Sequence, residues 1–192
     1  TLKLENFEAV RSQAKLVSAV SPNVSSSGQL IAGANNYPSQ VTGVNQDYLH
    51  IRQLKIKDGT MFTDNDIKTS AKVCVIGKTI VENLFPDGTS PIGKIIRFHQ
   101  VPFKVIGVLQ PKGYNAMGMD QDAIVLAPYT TVMKRLLAQN YLSMIFASAV
   151  SEEYSPVAVE EISQILRREH NLKAGQADDF TIRTQEEISS ML

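Results

Sequence analysis

Leu4, Phe7, Val10 and Ala14 recur at three- and four-residue spacing, which places them on one face of a helix over residues 4–15. Leu16 to Ser21 then reads as a strand closed by Pro22, followed by a loop at Ser25-Ser26-Ser27-Gly28. Two more extended runs follow, Gln29 to Ala34 and Gln40 to Asn45, with Asn35, Asn36 and Pro38 in the turn between them. Near the other end Ser143 to Val150 predicts a strand. Ser155-Pro156 predicts a helix start, serine as the N-cap and proline at the first helical position. Val159, Ile162, Ile165 and Leu166 form the buried stripe of that helix, and Arg167, Arg168 and His170 sit against the negative end of its dipole. Asn171 and Gly175 can end it, and a strand at Phe180 to Arg183 would complete a β-α-β unit.

Residues 46–140 have a different grain, with short strands at 72–77, 94–99, 103–109 and 123–126 and small helices at 78–84 and 129–138. Pro86-Asp87-Gly88 and Pro91 punctuate this stretch, and His99-Gln100-Val101-Pro102 can turn one strand back on the next. The two ends, residues 1–45 and 141–192, each offer helix plus strand. They are expected to pair as halves of a split α+β sandwich with the middle inserted between them. Thr184 with Glu187 reads as a capping box opening a further helix with Ile188, Met191 and Leu192 on its apolar side. The abrupt start at Thr1-Leu2 and the stop inside that helix suggest a fragment whose chain continues as helix.

Composition narrows the field. Apolar residues make up 43% and charged residues 20% of 192, as in ordinary folded proteins. Nineteen basic residues balance nineteen acidic ones, and no window has the basic cluster with interleaved aromatics of a nucleic-acid groove, so nucleic acid is not an expected partner. The most apolar stretch, Tyr141 to Val150, is too short to cross a bilayer. Cys74 reads as a small buried hydrophobe.

Searching for chemistry yields little. Gly77-Lys78-Thr79 resembles the end of a phosphate-binding loop. The motif's first glycine should stand at Lys72, and Val73 to Ile76 are strand residues, so the backbone amides cannot curl around a phosphate. His50, His99 and His170 lie far apart without metal-ligand spacing. Asp64-Asn65-Asp66 lacks the glycine and glutamate of a calcium loop and reads as a helix cap instead. Asp120 and Asp122 could form an acid-base pair, against the plainer reading of solvated loop carboxylates. There is no Gly-x-Ser-x-Gly nucleophile elbow, and no catalytic, cofactor or metal residue is assigned. Gln110 to Gln121 carries Tyr114, Met117 and Met119 in a long loop, where adaptable apolar side chains either fold back on the module or contact a partner.

The order of short motifs carries a resemblance. Gly59-Thr60-Met61-Phe62, Asp64 and Asp66, Val75-Ile76-Gly77 with Leu84-Phe85, Pro91-Ile92-Gly93-Lys94, Phe103 to Val108, and Asp122 to Val125 with Pro128 are similar to the periplasmic core domain of MacB-like ABC transporter permeases. The likeness is good over about residues 43–131 and looser in the flanks. It implies an α+β domain in two parts: a split ferredoxin-like βαβ "porter" subdomain from residues 1–45 and 141–192, and an inserted mostly β "sabre" subdomain, 46–140. The strand expected before the first helix is missing. The resemblance further implies an extracytoplasmic, non-enzymatic part of a permease, coupling ATP hydrolysis in a separate cytoplasmic domain to export through mechanical change. No cofactor of its own is expected. Its implied partners are a second permease protomer, the ABC ATPase, a periplasmic adaptor and an outer-membrane channel, with the isolated domain a monomer. A lipoprotein-releasing permease and a free-standing binding module are the alternatives.

Overall fold

The computed structural model describes residues 1–182. Its elements run β1 (Leu2–Lys3), α1 (Leu4–Gln13), β2 (Val17–Ala32), β3 (Asn35–Val44), α2 (Asp47–Ile51), β4 (Ile56–Gly59), α3 (Asp64–Lys68), β5 (Val73–Ile76) and α4 (Lys78–Leu84). They continue with β6 (Ile95–Phe98), β7 (Val101–Leu109), β8 (Val125–Pro128), α5 (Tyr129–Thr131) running on into a π-helical turn (Val132–Leu137), β9 (Tyr141–Leu142), β10 (Met144–Ala149) and α6 (Ser155–Glu169). The fold is mixed α/β. Its main sheet follows the order β10-β2-β3-β8-β5-β7-β4, with β6 pairing β2 and β7. The β3–β8 and β5–β7 pairs are parallel and the rest antiparallel.

Alternation along the central strands divides their side chains between two cores. Cys74, Ile76, Val125 and Ala127 face the larger one, beneath Phe7 and Val10 of α1, Ile80 and Leu84 of α4, and Ile165 and Leu166 of α6. Val75 and Leu126 face the smaller one with Val44, Tyr48 and Phe62. Burial on both sides explains why β5 and β8 read as unbroken apolar runs.

The largest departure from expectation is β2, a single 16-residue strand through both Pro22 and Ser25 to Gly28. Residues 17–23 pair with β10, and 24–32 pair with β3. Where β3 leaves, the side chains of the following corner replace it. Asp47 Oδ2 accepts the Val20 N–H at 3.0 Å, and Asn45 Nδ2 donates to the Val20 carbonyl at 2.9 Å. Backbone polar groups alternate sides, so Pro22 turns its missing donor to this same side and the β10 ladder loses nothing. Pro38 likewise lies within β3 but outside the Thr42–Val44 segment that pairs with β8. Asn35, Asn36 and Pro38 are therefore strand residues. The turn is Gly33-Ala34, with Gly33 at φ 61°, as in a two-residue hairpin with glycine first. At the β6–β7 hairpin the turn residues are His99 and Gln100, both at positive φ, and Val101 and Pro102 already belong to β7.

Smaller corrections follow the same logic of local hydrogen bonding. Thr63, not Asp64, caps α3, exchanging bonds with Asp66 at 3.1 and 2.9 Å. Tyr154 occupies the N-cap place of α6, after a 3-10 turn, so Ser155 lies one residue inside. The helix ends at Asn171, φ 56°, where Asn171 N donates to Arg168 O and Leu172 N to Arg167 O, the paired bonds of a Schellman close. Residues 180–182 are not a strand, and the ring of Phe180 meets that of His170 edge-on at 5.8 Å. Arg183 and the capping box at Thr184 and Glu187 lie outside the described residues. A two-residue strand does precede the first helix: β1 pairs with β9.

Helix α1 and the start of β2 are tied to α6. Both carboxylate oxygens of Glu161 accept backbone N–H groups, those of Lys15 and Leu16, at 2.9 Å. Arg168 donates to Gln13 at 3.1 Å, and His170 Nε2 lies 3.2 Å from Asn6 Oδ1.

Candidate functional site

Between β7 and β8 the chain forms a small protruding knuckle, and the three singled-out side chains are on it. Tyr114 is 72% exposed, Met117 49% and Met119 61%. They are not folded back on the module, so their apolar surface faces water. The knuckle is nonetheless internally ordered. Tyr114 bridges Asp120 as an isolated β-pair, Asn115 N donates to Met119 O at 2.9 Å, and Gly118 N to Asn115 O at 3.0 Å. The Asn115 side-chain oxygen accepts both Met117 N and Met119 N at 3.0 Å.

Behind it, the two aspartates are fasteners. Asp122 is buried, and its oxygens accept Lys112 N at 2.8 Å and Gly113 N at 3.0 Å. Asp120 Oδ1 accepts Asp122 N at 2.8 Å, and Oδ2 takes the Thr79 hydroxyl at 2.6 Å. The expectation of solvated loop carboxylates is corrected: Asp122 is buried, and the oxygens of both aspartates hold main-chain amides and a hydroxyl.

Gly77-Lys78-Thr79 finds its purpose here. Gly77 is the N-cap of α4 at φ −90°, an ordinary conformation, so glycine is not needed for the turn. It is needed for contact: a Cβ at this position would run into the Asp122 carbonyl oxygen. Gly77 N donates to Ile124 O at 2.9 Å and Thr79 N to Asp122 O at 3.2 Å, which sews the start of α4 to the foot of the knuckle. Lys78 stays at the surface, 3.7 Å from Glu82 one turn on. The sequence marked Tyr114, Met117 and Met119, but Thr79 lies 41 residues from Asp120, and nothing short of the fold joins them.

The remaining candidates are dispersed. His99 Nε2 lies 2.8 Å from Ser27 O, His170 contacts Asp179, and His50 lies 3.5 Å from Ser18 Oγ. Hydrogen bonding to His170 holds the Asp179 carboxyl below its ordinary value. Burial pushes the Cys74 thiol up to about 12. Among the described residues, no cluster of three or more His, Cys, Asp or Glu is placed to hold a metal, and no helix is long and apolar enough to cross a membrane.

The fold as a whole matches domains that ABC-type transporters hold outside the cytoplasm. The periplasmic region of MacB from Actinobacillus actinomycetemcomitans superposes with a TM-score of 0.82 at 26% identity, covering 100% of this chain and 82% of that one. The extracellular domain of the transporter YknZ from Gram-positive bacteria has the same fold, with a TM-score of 0.75 at 23% identity, covering 90% of this chain and 86% of that one. The family described as MacB-like periplasmic core domain matches residues 1–165, and the chain belongs to it. It is the periplasmic domain of a MacB-like ABC transporter permease, a non-catalytic kind of domain. The macrolide export ATP-binding/permease protein MacB of Chlorobium phaeobacteroides is 37% identical over 95% of this chain and 27% of its own length. That of Syntrophobacter fumaroxidans is 29% identical over 100% of this chain and 34% of its own. The chain thus spans roughly a quarter to a third of these relatives.

Proposed function

We propose that the domain is a mechanical transmitter, carrying the motion of an ATPase across the membrane to an export route outside it. Full-length similarity to a MacB periplasmic region is the observation that carries this reading. In this reading ATP is used by a separate cytoplasmic domain, two protomers work together, and a periplasmic adaptor leading to an outer-membrane channel docks on the knuckle at Tyr114, Met117 and Met119. The ends of the chain act as the porter part. Their bonding to each other through Glu161, β2 with β10, and α1 with α6 supports a body that moves as one piece. The middle strands act as the sabre part, which carries the knuckle.

The test is an uncoupling experiment in the full-length transporter reconstituted in vesicles. Glu161→Ala removes the acceptor that ties α6 to the start of β2 and is expected to leave ATP hydrolysis intact while export falls severalfold. Export that continues in proportion to hydrolysis would refute transmission through this joint. Turnover of a compound by the isolated domain would refute the non-enzymatic reading.

A further inference from the structure

We propose that His170 is a proton-operated clasp: it fastens the chain leaving α6 to α6 and α1 while its ring carries both protons, and releases it when the ring is neutral. Both ring nitrogens face acceptors. Nδ1 lies 2.6 Å from Asp179 Oδ1, and Nε2 lies 3.2 Å from Asn6 Oδ1. Asn6 Oδ1 also accepts the Lys3 N–H at 2.9 Å, in the capping box of α1. Turning that amide would set its nitrogen against the Lys3 N–H, a donor against a donor, so its oxygen is what His170 meets. A neutral imidazole has a single N–H; it can serve one of the two oxygens and must aim a lone pair at the other. Imidazolium serves both. The His170 side chain is 10% exposed, so water has little access to replace the lost bond.

The surrounding charges set the direction of the response. Asp179 faces the ring from the departing segment, and the hydrogen bond to His170 holds its carboxyl below the ordinary value, so the carboxylate stays charged wherever an imidazole titrates. The Thr1 ammonium is near enough to Asp179 to favour that charge. From α1 the facing group is the neutral Asn6 amide; Glu8 and Arg11 of that helix pair with each other, and Glu5 adjoins Asn6 in sequence. On α6, His170 follows Arg167, Arg168 and Glu169 and caps the C-terminal end, where the helix dipole favours a cation. Arg167 turns to Asp178 and the Lys173 carbonyl, and Arg168 donates to Gln13. The departing segment thus has two fasteners of different kinds. Arg167 keeps its charge on Asp178 at any pH the fold survives, whereas imidazole changes charge between about pH 5 and 8. The grip of His170 is present at the acid end of that range and lost as pH rises. Phe180, whose ring meets His170 edge-on at 5.8 Å, leaves with Asp179, and Asp178 stays, which puts the hinge between residues 178 and 179.

The experiment is nuclear magnetic resonance of the whole chain at about pH 5.5 and about pH 8.5, with the ring nitrogen shifts of His50 and His99 as internal references. At the acid end His170 should show two protonated ring nitrogens, magnetisation transfer to the Phe180 ring, and backbone order parameters near about 0.85 at residues 178–180. At the alkaline end the ring contact should vanish and the order parameters of Asp179 and Phe180 fall below about 0.6, while Asp178 keeps its value. Asp179→Asn, at a half-exposed site remote from the core, should give the loosened state at both pH values, and His170→Gln should make the order of residues 179 and 180 independent of pH. A His170 ring with one proton at about pH 5.5, where His50 and His99 carry two, would overturn the clasp. So would order at Asp179 and Phe180 that is unchanged with pH in the parent, or a parent-like response that persists in either variant. None of these readouts involves transport, so their failure leaves the transmitter reading untouched.

Discussion

Replacing Asp122 with alanine tests whether the acidic pair is a fastener. The side chain is buried and accepts Lys112 N at 2.8 Å and Gly113 N at 3.0 Å. Its removal strands two part-buried amides, each at a cost of about 1–3 kcal/mol. Because both lie near the surface, where water can recover part of the loss, the lower half of the range applies, about 2–4 kcal/mol in all. With a urea m-value of about 2–3 kcal/mol per molar, the unfolding midpoint should fall by about 1 M. Asp122→Asn keeps one acceptor oxygen and should lose about half as much. Amide exchange separates a global effect from a local one. If the knuckle opens by itself, exchange at Lys112 and Gly113 should accelerate at least about thirtyfold, matching about 2 kcal/mol, even where the midpoint moves less. A midpoint within about 0.2 M of the parent together with unchanged exchange at both amides would refute the assignment.

Gly77→Ala drives a methyl into the Asp122 carbonyl and should destabilise by about 1–3 kcal/mol in thermal unfolding, whereas exposed Lys78→Ala should stay within about 0.5 kcal/mol. Cys74 should resist alkylation in native buffer and react fully only after denaturation. Its thiol titrates near 9 when unfolded and is held up to about 12 in the fold, so over that window the folded state binds more protons. The stability it contributes is present below pH 9 and should decline as pH rises toward 12, a trend that Cys74→Ala should lessen in alkaline urea titrations.

Local signals served well wherever one short window carries the physics. Local pattern placed α1, α4 and α6, and apolar runs placed β5 and β7, with β8 expected two residues too early. The order of those motifs pointed to the right family. Proline and serine misled in β2, because their turn preference is a statement about isolated chain. In the sheet, Pro22 and Pro38 each sit where only one neighbour pairs, and side chains of Asn45 and Asp47 complete the bonding.

By itself the amino-acid order determined α1, α4 and α6, the apolar runs of the doubly covered strands, the family, and the three apolar residues of the exposed loop, since each depends on neighbours within a turn or two. Tertiary structure alone decided the continuous β2, the parallel pairing of β5 with β7, and the roles of Thr79, Asp120 and Asp122. Those depend on atoms from distant segments meeting at hydrogen-bond distance, and the energy of such a meeting does not exist until the chain has folded.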